Sequence, residues 1–268
     1  MYILRKLLKK LFVYGSSKPR RTHCYCVGTS KSGTHSIEAL LSGALRSDHE
    51  PERELVLKMI LRRLQHTIGQ EEWRRFIKER DKRLLLELDS SSLNYFLLDV
   101  LAQEYEDALF ILTMRDCYSW IDSFINHELA RLTNKNWTRF KELRFRADEL
   151  GHAKEEELFK KKGLYTLDGY LSYWAIHNRR VLEIVPSDRL LVVRTHEIAD
   201  QAGQIADFVG VPVSQLNRKR THAYKAKAKF QILSKIDPDF LESKVQQHCQ
   251  PLMGEYFPEI RRMSDILP

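Results

Sequence analysis

The stretch with the clearest chemistry is Gly28-Thr29-Ser30-Lys31-Ser32-Gly33-Thr34-His35-Ser36. Two glycines permit a sharp turn, and Lys31 places a cation inside it. If a helix starts at Thr34, its first amides point at whatever anion occupies the turn, and the hydroxyls of Ser32, Thr34 and Ser36 add donors. Ser30, Lys31, Ser32, Gly33, Thr34, His35 and Ser36 are therefore candidate ligands for a phosphate-like group. The pattern is not that of the nucleotide triphosphatases, in which Lys directly follows the second Gly and precedes a magnesium-holding Ser or Thr. Here Thr34 follows Gly33, and Lys31 stands two residues before that glycine.

Such a turn needs a strand before it and a helix after it. The apolar run His23-Cys24-Tyr25-Cys26-Val27 supplies the strand, and Thr34–Leu45 reads as the helix. Further strands are expected at Arg83–Leu88, Ala108–Met114 and Leu190–Arg194. The sequence between Cys117 and Val185 is strongly helical, and highly charged from Lys135 to Lys162. Strands alternating with helices predict an α/β fold: one domain with a central, mostly parallel sheet flanked by helices and a P-loop-like turn. The expected organisation is a basic amphipathic helix and linker over 1–20, then a single domain over 21–268. Within that domain, 135–165 is a helical lid or insertion.

Lys31-Ser32-Gly33-Thr34 after a strand resembles the 5′-phosphosulfate loop of sulfotransferases that use 3′-phosphoadenosine-5′-phosphosulfate (PAPS). That family has a second signature, an Arg at a strand end with a Ser eight residues later on the next helix. Here Phe110-Ile111-Leu112-Thr113-Met114-Arg115-Asp116 leads into Cys117–Ser123, so Arg115 and Ser123 have that spacing; Cys117 stands where proline is usual. The resemblance covers roughly residues 23–260, including Trp174–Asn178, Leu190–Glu197, Asp207–Pro212 and Met253–Pro258. It implies transfer of a sulfonate from PAPS to a hydroxyl, less readily an amine, of a carbohydrate, lipid or small-molecule acceptor.

By the same resemblance, Lys31 stabilises the bridging oxygen as the donor's phosphate leaves, and Arg115 with Ser123 reads the 3′-phosphate. Lys225 and Lys227, in Lys225-Ala226-Lys227-Ala228-Lys229, lie where the family often closes a basic loop over the cofactor; a solvated charged stretch is the other reading. A transferring sulfonate carries less negative charge than a phosphoryl group, and no metal is expected. The acceptor needs a general base, because an alcohol is a poor nucleophile at neutral pH. Asp48-His49-Glu50-Pro51 follows the loop helix, and the carbohydrate-modifying branch of the family places a Glu near this position. Glu50 is the first choice and His49 the second, since adjacent side chains generally face different ways; a polar loop before a Pro-started helix is the bland alternative. Asp89, His177 and His196 follow as reserve candidates. Ser90, Ser91 and Ser92 suit either ligand contact or a helix cap. Tyr170, Trp174 and His177 share one helix face and read as core.

Composition narrows the remaining classes. The 268 residues carry 44 Lys+Arg against 36 Asp+Glu, a net charge of +8, which suits an anionic partner without demanding nucleic acid. With 43% hydrophobic residues the chain is not disordered, and no apolar run approaches the ~18 residues of a membrane span. Four cysteines are too few for a disulfide scaffold, so a reducing, cytoplasmic setting is expected. In residues 1–14, Leu4, Leu7, Leu8 and Leu11 alternate with Arg5, Lys6, Lys9 and Lys10, whereas a secretory leader is expected to have an uninterrupted apolar core. That segment either docks on the domain or gives the protein peripheral contact with an anionic membrane. Two rival functions stay open, a P-loop-type nucleotide-dependent kinase and a non-enzymatic protein binding anions or membrane surfaces. Acceptor identity and oligomeric state are not legible.

Overall fold

The computed structural model describes residues 19–132, 134–218 and 230–266. These residues form two compact units. The sheet unit takes Gly33–Thr113 with the described residues up to Gly28 and from Val181 to Arg218. The helical unit takes Thr29–Ser32, Met114–Arg180 and the described residues from Phe230 onward. The basic pattern over 1–14 lies outside the described residues.

The sheet unit contains β1 (Cys24–Cys26), β2 (Ser47–His49), β3 (Leu88–Ser90), β4 (Leu109–Met114) and β5 (Leu190–Arg194), in the order β2-β3-β1-β4-β5. β1 pairs in parallel with β3 and β4, and β2 with β3. The register aligns Ser47, Leu88, Cys24 and Leu109 in one row and His49, Ser90, Cys26 and Ile111 two rows on. Alternation along the strands sends Cys24, Cys26, Leu88 and Ile111 to one face. There they pack with Ile37, Leu40 and Leu41 of α1 (Thr34–Leu41) and with Val193, Ile205 and Ala206.

The opposite face presents Tyr25, Asp89 and Phe110 to the helices α2 (Arg53–Leu64), α3 (Gln70–Leu84) and α4 (Asn94–Glu104) that follow β2 and β3. Tyr25 donates to Asp81 of α3 at 2.9 Å, and Arg80 of the same helix pairs with Asp89 at 2.6 Å. Both faces are thus covered, as a parallel sheet requires. This is the expected α/β architecture.

The helical unit comprises α5 (Cys117–Leu129), α6 (Lys135–Arg144), α7 (Glu157–Lys161), α8 (Leu167–Ile184, taken here up to Arg180), and, after α9 (Ala202–Phe208) of the sheet unit, α10 (Pro238–His248) and α11 (Gln250–Tyr256). Its core is aromatic: Trp120, Phe124, Phe140, Phe145, Tyr170 and Trp174 are all buried. Asp168 accepts from Lys244 and His248, each at 2.7 Å, which ties α10 to α8.

Three local expectations need correction. Arg83 and Leu84 end α3 instead of opening a strand, because Trp73, Ile77, Arg80 and Leu84 form one buried helical stripe. The helix stops at Leu85, a left-handed cap (φ 47) whose N–H reaches Asp81 O, and the strand begins only at Leu88. Ser47–His49, not among the expected strands, is the edge strand β2, invisible to a hydrophobic pattern because its residues are polar. The loop helix closes at Leu41 and not at Leu45.

Candidate active site

Within the helical unit, the turn Thr29–Ser32 is closed by Ser32 N–H donating to Thr29 O at 3.2 Å, with the Ser32 hydroxyl donating to the same oxygen at 2.7 Å. That hydroxyl proton is spent inside the loop. Lys31 sits in the left-handed region (φ 73) and is half-buried. The Ser30 carbonyl accepts the indole N–H of Trp120 at 2.9 Å. Thr29 Oγ1 is buried with no hydrogen-bond partner, a polar atom left over in a loop of otherwise committed groups.

Arg115 follows the last residue of β4 and is also half-buried. Its carbonyl accepts the indole N–H of Trp174 at 3.0 Å. Asp116 caps α5 by accepting from Ser119 N at 2.7 Å, and Ser123 lies buried further along that helix. Burial holds the Lys31 ammonium below its ordinary pKa, and the Arg115 and Arg131 charges push the same way. Burial also lowers Arg115, against the opposing pull of Asp116 and Asp122. Desolvated cations that repel each other gain most from an anion between them. The structure thus brings together the two cations on which the sequence reading rests and adds Arg131, which that reading missed. Lys225 and Lys227 lie outside the described residues.

Within the sheet unit, Gly33 takes φ 108 and caps α1; Ser36 N–H and Ile37 N–H both reach its carbonyl. A Cβ there would meet Ile198 Cδ1 at 2.7 Å, so the site excludes side chains by backbone conformation and by space. Thr34 is held from two sides. Its Oγ1 lies 3.2 Å from His49 Nε2, and its carbonyl accepts the buried Ser90 hydroxyl at 2.7 Å. His35 meets the His49 ring edge-on, 4.9 Å between centroids. Ser91 does local work, its hydroxyl accepting Leu93 N–H at 3.1 Å.

Glu50 leaves the end of β2 in a left-handed conformation (φ 53) with its N–H on Ser90 O. Its carboxylate is 24% exposed and lies 3.4 Å from Arg53. His49 and Glu50 therefore face different neighbours, as their adjacency implies. The reserve candidates are placed otherwise. Asp89 is locked to Arg80 and Asn94, and fully buried His177 bonds Tyr173 OH at 3.1 Å. His196 is exposed beside Arg194 and Glu197. Tyr170, Trp174 and His177 are core, as their spacing predicts. Sequence reasoning also missed Arg144, whose guanidinium lies 4.4–5.2 Å from the ring centres of Phe124, Phe140, Phe145 and Tyr173. The run of aromatic residues at helical spacing was the available signal.

Within the helical unit, the half-buried Lys31 and Arg115 and the buried Thr29 hydroxyl suit an anionic ligand. Among the described residues, no group of three His, Cys, Asp or Glu side chains is gathered to hold a metal, and no helix is long and apolar enough to cross a membrane.

A model of the family described as sulfotransferase domain matches residues 24–223. Among solved structures, the chain is similar to the sulfotransferase from Alicyclobacillus acidocaldarius at 17% identity and a TM-score of 0.47, over 90% of this chain and 96% of that one. The sulfotransferase domain from the Synechococcus PCC 7002 olefin synthase aligns at 16% identity and 0.44, over 85% of each chain. That from the curacin biosynthetic pathway aligns at 15% and 0.43, over 88% of this chain and 98% of that one. No curated protein matches.

Proposed function

The chain belongs to the sulfotransferase domain family, and we propose that it moves a sulfonate from PAPS to a hydroxyl, less readily an amine, of a carbohydrate, lipid or other small-molecule acceptor. The observation that carries the donor assignment is that Lys31 and Arg115 are half-buried cations of one unit, with the Arg115 charge lowering the Lys31 pKa and the buried Thr29 hydroxyl left without a partner in the turn that carries Lys31. Bound PAPS supplies a sulfonate whose S–O bond to the 5′-phosphate breaks as a new S–O bond to the acceptor forms. Lys31 and the amides that open α1 hold the 5′ side and stabilise the charge that develops on the leaving oxygen. Arg115 offers a planar fork to the 3′-phosphate, with Ser123 adding a hydroxyl. Glu50 takes the acceptor proton, and Lys225 with Lys227 adds positive charge around the nucleotide. No metal enters this scheme.

The test is binding of 3′-phosphoadenosine-5′-phosphate (PAP), the desulfonated product, against AMP and ATP. At a hundredfold excess over Kd, PAP stabilises by about 2.7 kcal/mol, a rise of a few degrees in Tm for a chain of this size. AMP and ATP at the same concentration give a smaller rise. Arg115→Ala weakens PAP by about 1.5–3 kcal/mol, the range for hydrogen bonds to charged groups, and leaves adenosine 5′-phosphosulfate nearly unchanged. A larger shift with ATP and magnesium than with PAP points instead to a nucleotide kinase. Equal losses for both ligands in Arg115→Ala mean that Arg115 supports the fold and does not read the 3′-phosphate.

A further inference from the structure

Two tryptophans, on different helices, each spend their only hydrogen-bond donor on a backbone carbonyl beside a proposed phosphate ligand. Trp120 of α5 donates to Ser30 O at 2.9 Å, and Trp174 of α8 donates to Arg115 O at 3.0 Å. Both side chains are fully buried. All four residues belong to the helical unit.

We infer that Trp120 and Trp174 are positioning residues of the donor site, which set the peptide planes that carry Lys31 and Arg115. The inference rests on the donor reading above. No peptide bond in the described residues is cis, and in a trans peptide the C=O and N–H point in opposite directions. Trp120 draws the Ser30 carbonyl toward the aromatic core, so the N–H of Lys31 in the same peptide faces away from that core. Lys31 then continues in the left-handed conformation that lets the turn close on Thr29. An L-residue holds this conformation only when its surroundings fix it, and the bond to Trp120 is such a constraint.

Trp174 acts likewise on the Arg115–Asp116 peptide. Its bond fixes the carbonyl of the arginine just before Asp116 turns the chain into α5. An indole suits both tasks because it is rigid, donates without accepting, and fills the core around the bond it makes. Trp120 does so against Phe124 and Tyr173, with ring centres at 5.3 and 6.1 Å. Losing either N–H strands a buried carbonyl and lets its peptide rotate.

The two tryptophans serve different phosphates, which separates positioning from mere packing. The experiment measures calorimetric affinity for PAP, AMP and adenosine 3′-phosphate in the wild type, Trp120→Phe, Trp174→Phe and Trp73→Phe. Trp73 is a buried tryptophan of α3 that serves as the packing control. Trp120→Phe weakens AMP and PAP about tenfold, the loss of one net hydrogen bond, and spares adenosine 3′-phosphate. Trp174→Phe weakens adenosine 3′-phosphate and PAP by a similar factor and spares AMP. Trp73→Phe changes none of the three affinities. Benzothienylalanine at position 120 or 174, which keeps the bicyclic shape and lacks the N–H, reproduces each pattern without a fall in Tm and decides the matter if a phenylalanine variant does not fold. Equal weakening of all three ligands, or wild-type affinities in the benzothienyl proteins, overturns the inference. A wild type that binds PAP no better than adenosine overturns the donor reading, and the inference falls with it.

Discussion

A half-buried lysine that feels two arginine charges gives up its proton more readily than one in water, and Lys31, lowered by burial and by Arg115 and Arg131, is in that position. The protonated form is the useful one, since it meets charge developing on the leaving oxygen. Lys31→Ala lowers turnover about 10²–10³-fold, as for loss of one transition-state donor, with little effect on folding. The sign of the pH effect follows. The ammonium is complete below the lowered pKa and lost as pH rises through it, so the alkaline limb of kcat/KM for PAPS lies below the ordinary lysine value. Lys31→Arg keeps the charge and removes that limb; an unchanged limb shows that another group titrates. The base is a separate matter. His49 is engaged with Thr34 and His35, whereas the Glu50 carboxylate has only Arg53 beside it among the described ion pairs. Glu50→Gln accordingly lowers turnover about 10²–10⁴-fold at unchanged PAP affinity, and His49→Ala costs less. The reverse order in steady-state assays transfers the role to His49. Lys31 is legible as a candidate from its place in a glycine turn, and Arg115 only through the family resemblance. Trp120 and Trp174 are not, because an indole on a helix has the same pattern whether it fills space or holds a carbonyl.

At the scale of elements, the strands that the sequence reveals are those with apolar runs. β1, β4 and β5 lie where such runs predict them, while polar β2 owes its place to pairing with β3. The start of β3 depends on Glu87, the residue just before it. This buried carboxylate accepts from Arg21 N and Nε, each at 3.0 Å, and from Arg46 N at 2.8 Å. It thereby joins the approaches to β1, β2 and β3. Burial alone raises its pKa, but the bonds from Arg21 and Arg46 outweigh burial and hold it down to about 2. A depressed carboxylate contributes its full stability above the unfolded value, ~4.3, and loses it as pH falls from there through the folded one. Glu87→Gln therefore destabilises by about 1.5–3 kcal/mol at neutral pH and by less as the pH falls below 4. Denaturant midpoints at pH 7 and pH 3 measure the difference. Equal destabilisation at both assigns the effect of Glu87 to shape instead of charge.

For the whole molecule, a net charge of +8 suggests a generally basic surface, and the distribution along the chain contradicts it. Residues 1–21 hold seven Lys and Arg, residues 218–229 hold six, and neither stretch contains an acidic residue. The rest of the chain has 31 basic side chains against 36 acidic ones. The long-range attraction of an anionic nucleotide to this protein is therefore concentrated in two short segments. The second carries Lys225 and Lys227, and Phe230, just after it, is anchored by its N–H to Asn126 of α5 at 2.7 Å. Anchoring at that point returns the chain to the helix that bears Ser123. If the two lysines serve the nucleotide, Lys225→Ala with Lys227→Ala weakens PAP about three- to tenfold at low salt, the worth of two exposed charge contacts. Most of that difference disappears near 1 M salt, where the screening length contracts to about 3 Å. Loss of Arg115 resists salt far better, because its contact is partly buried. Isothermal titrations of the double variant and of Arg115→Ala across a salt series separate the two behaviours. A double variant that binds PAP as the wild type does at every ionic strength identifies 225–229 as a solvated stretch and confines nucleotide recognition to Arg115 and to Lys31 with its loop.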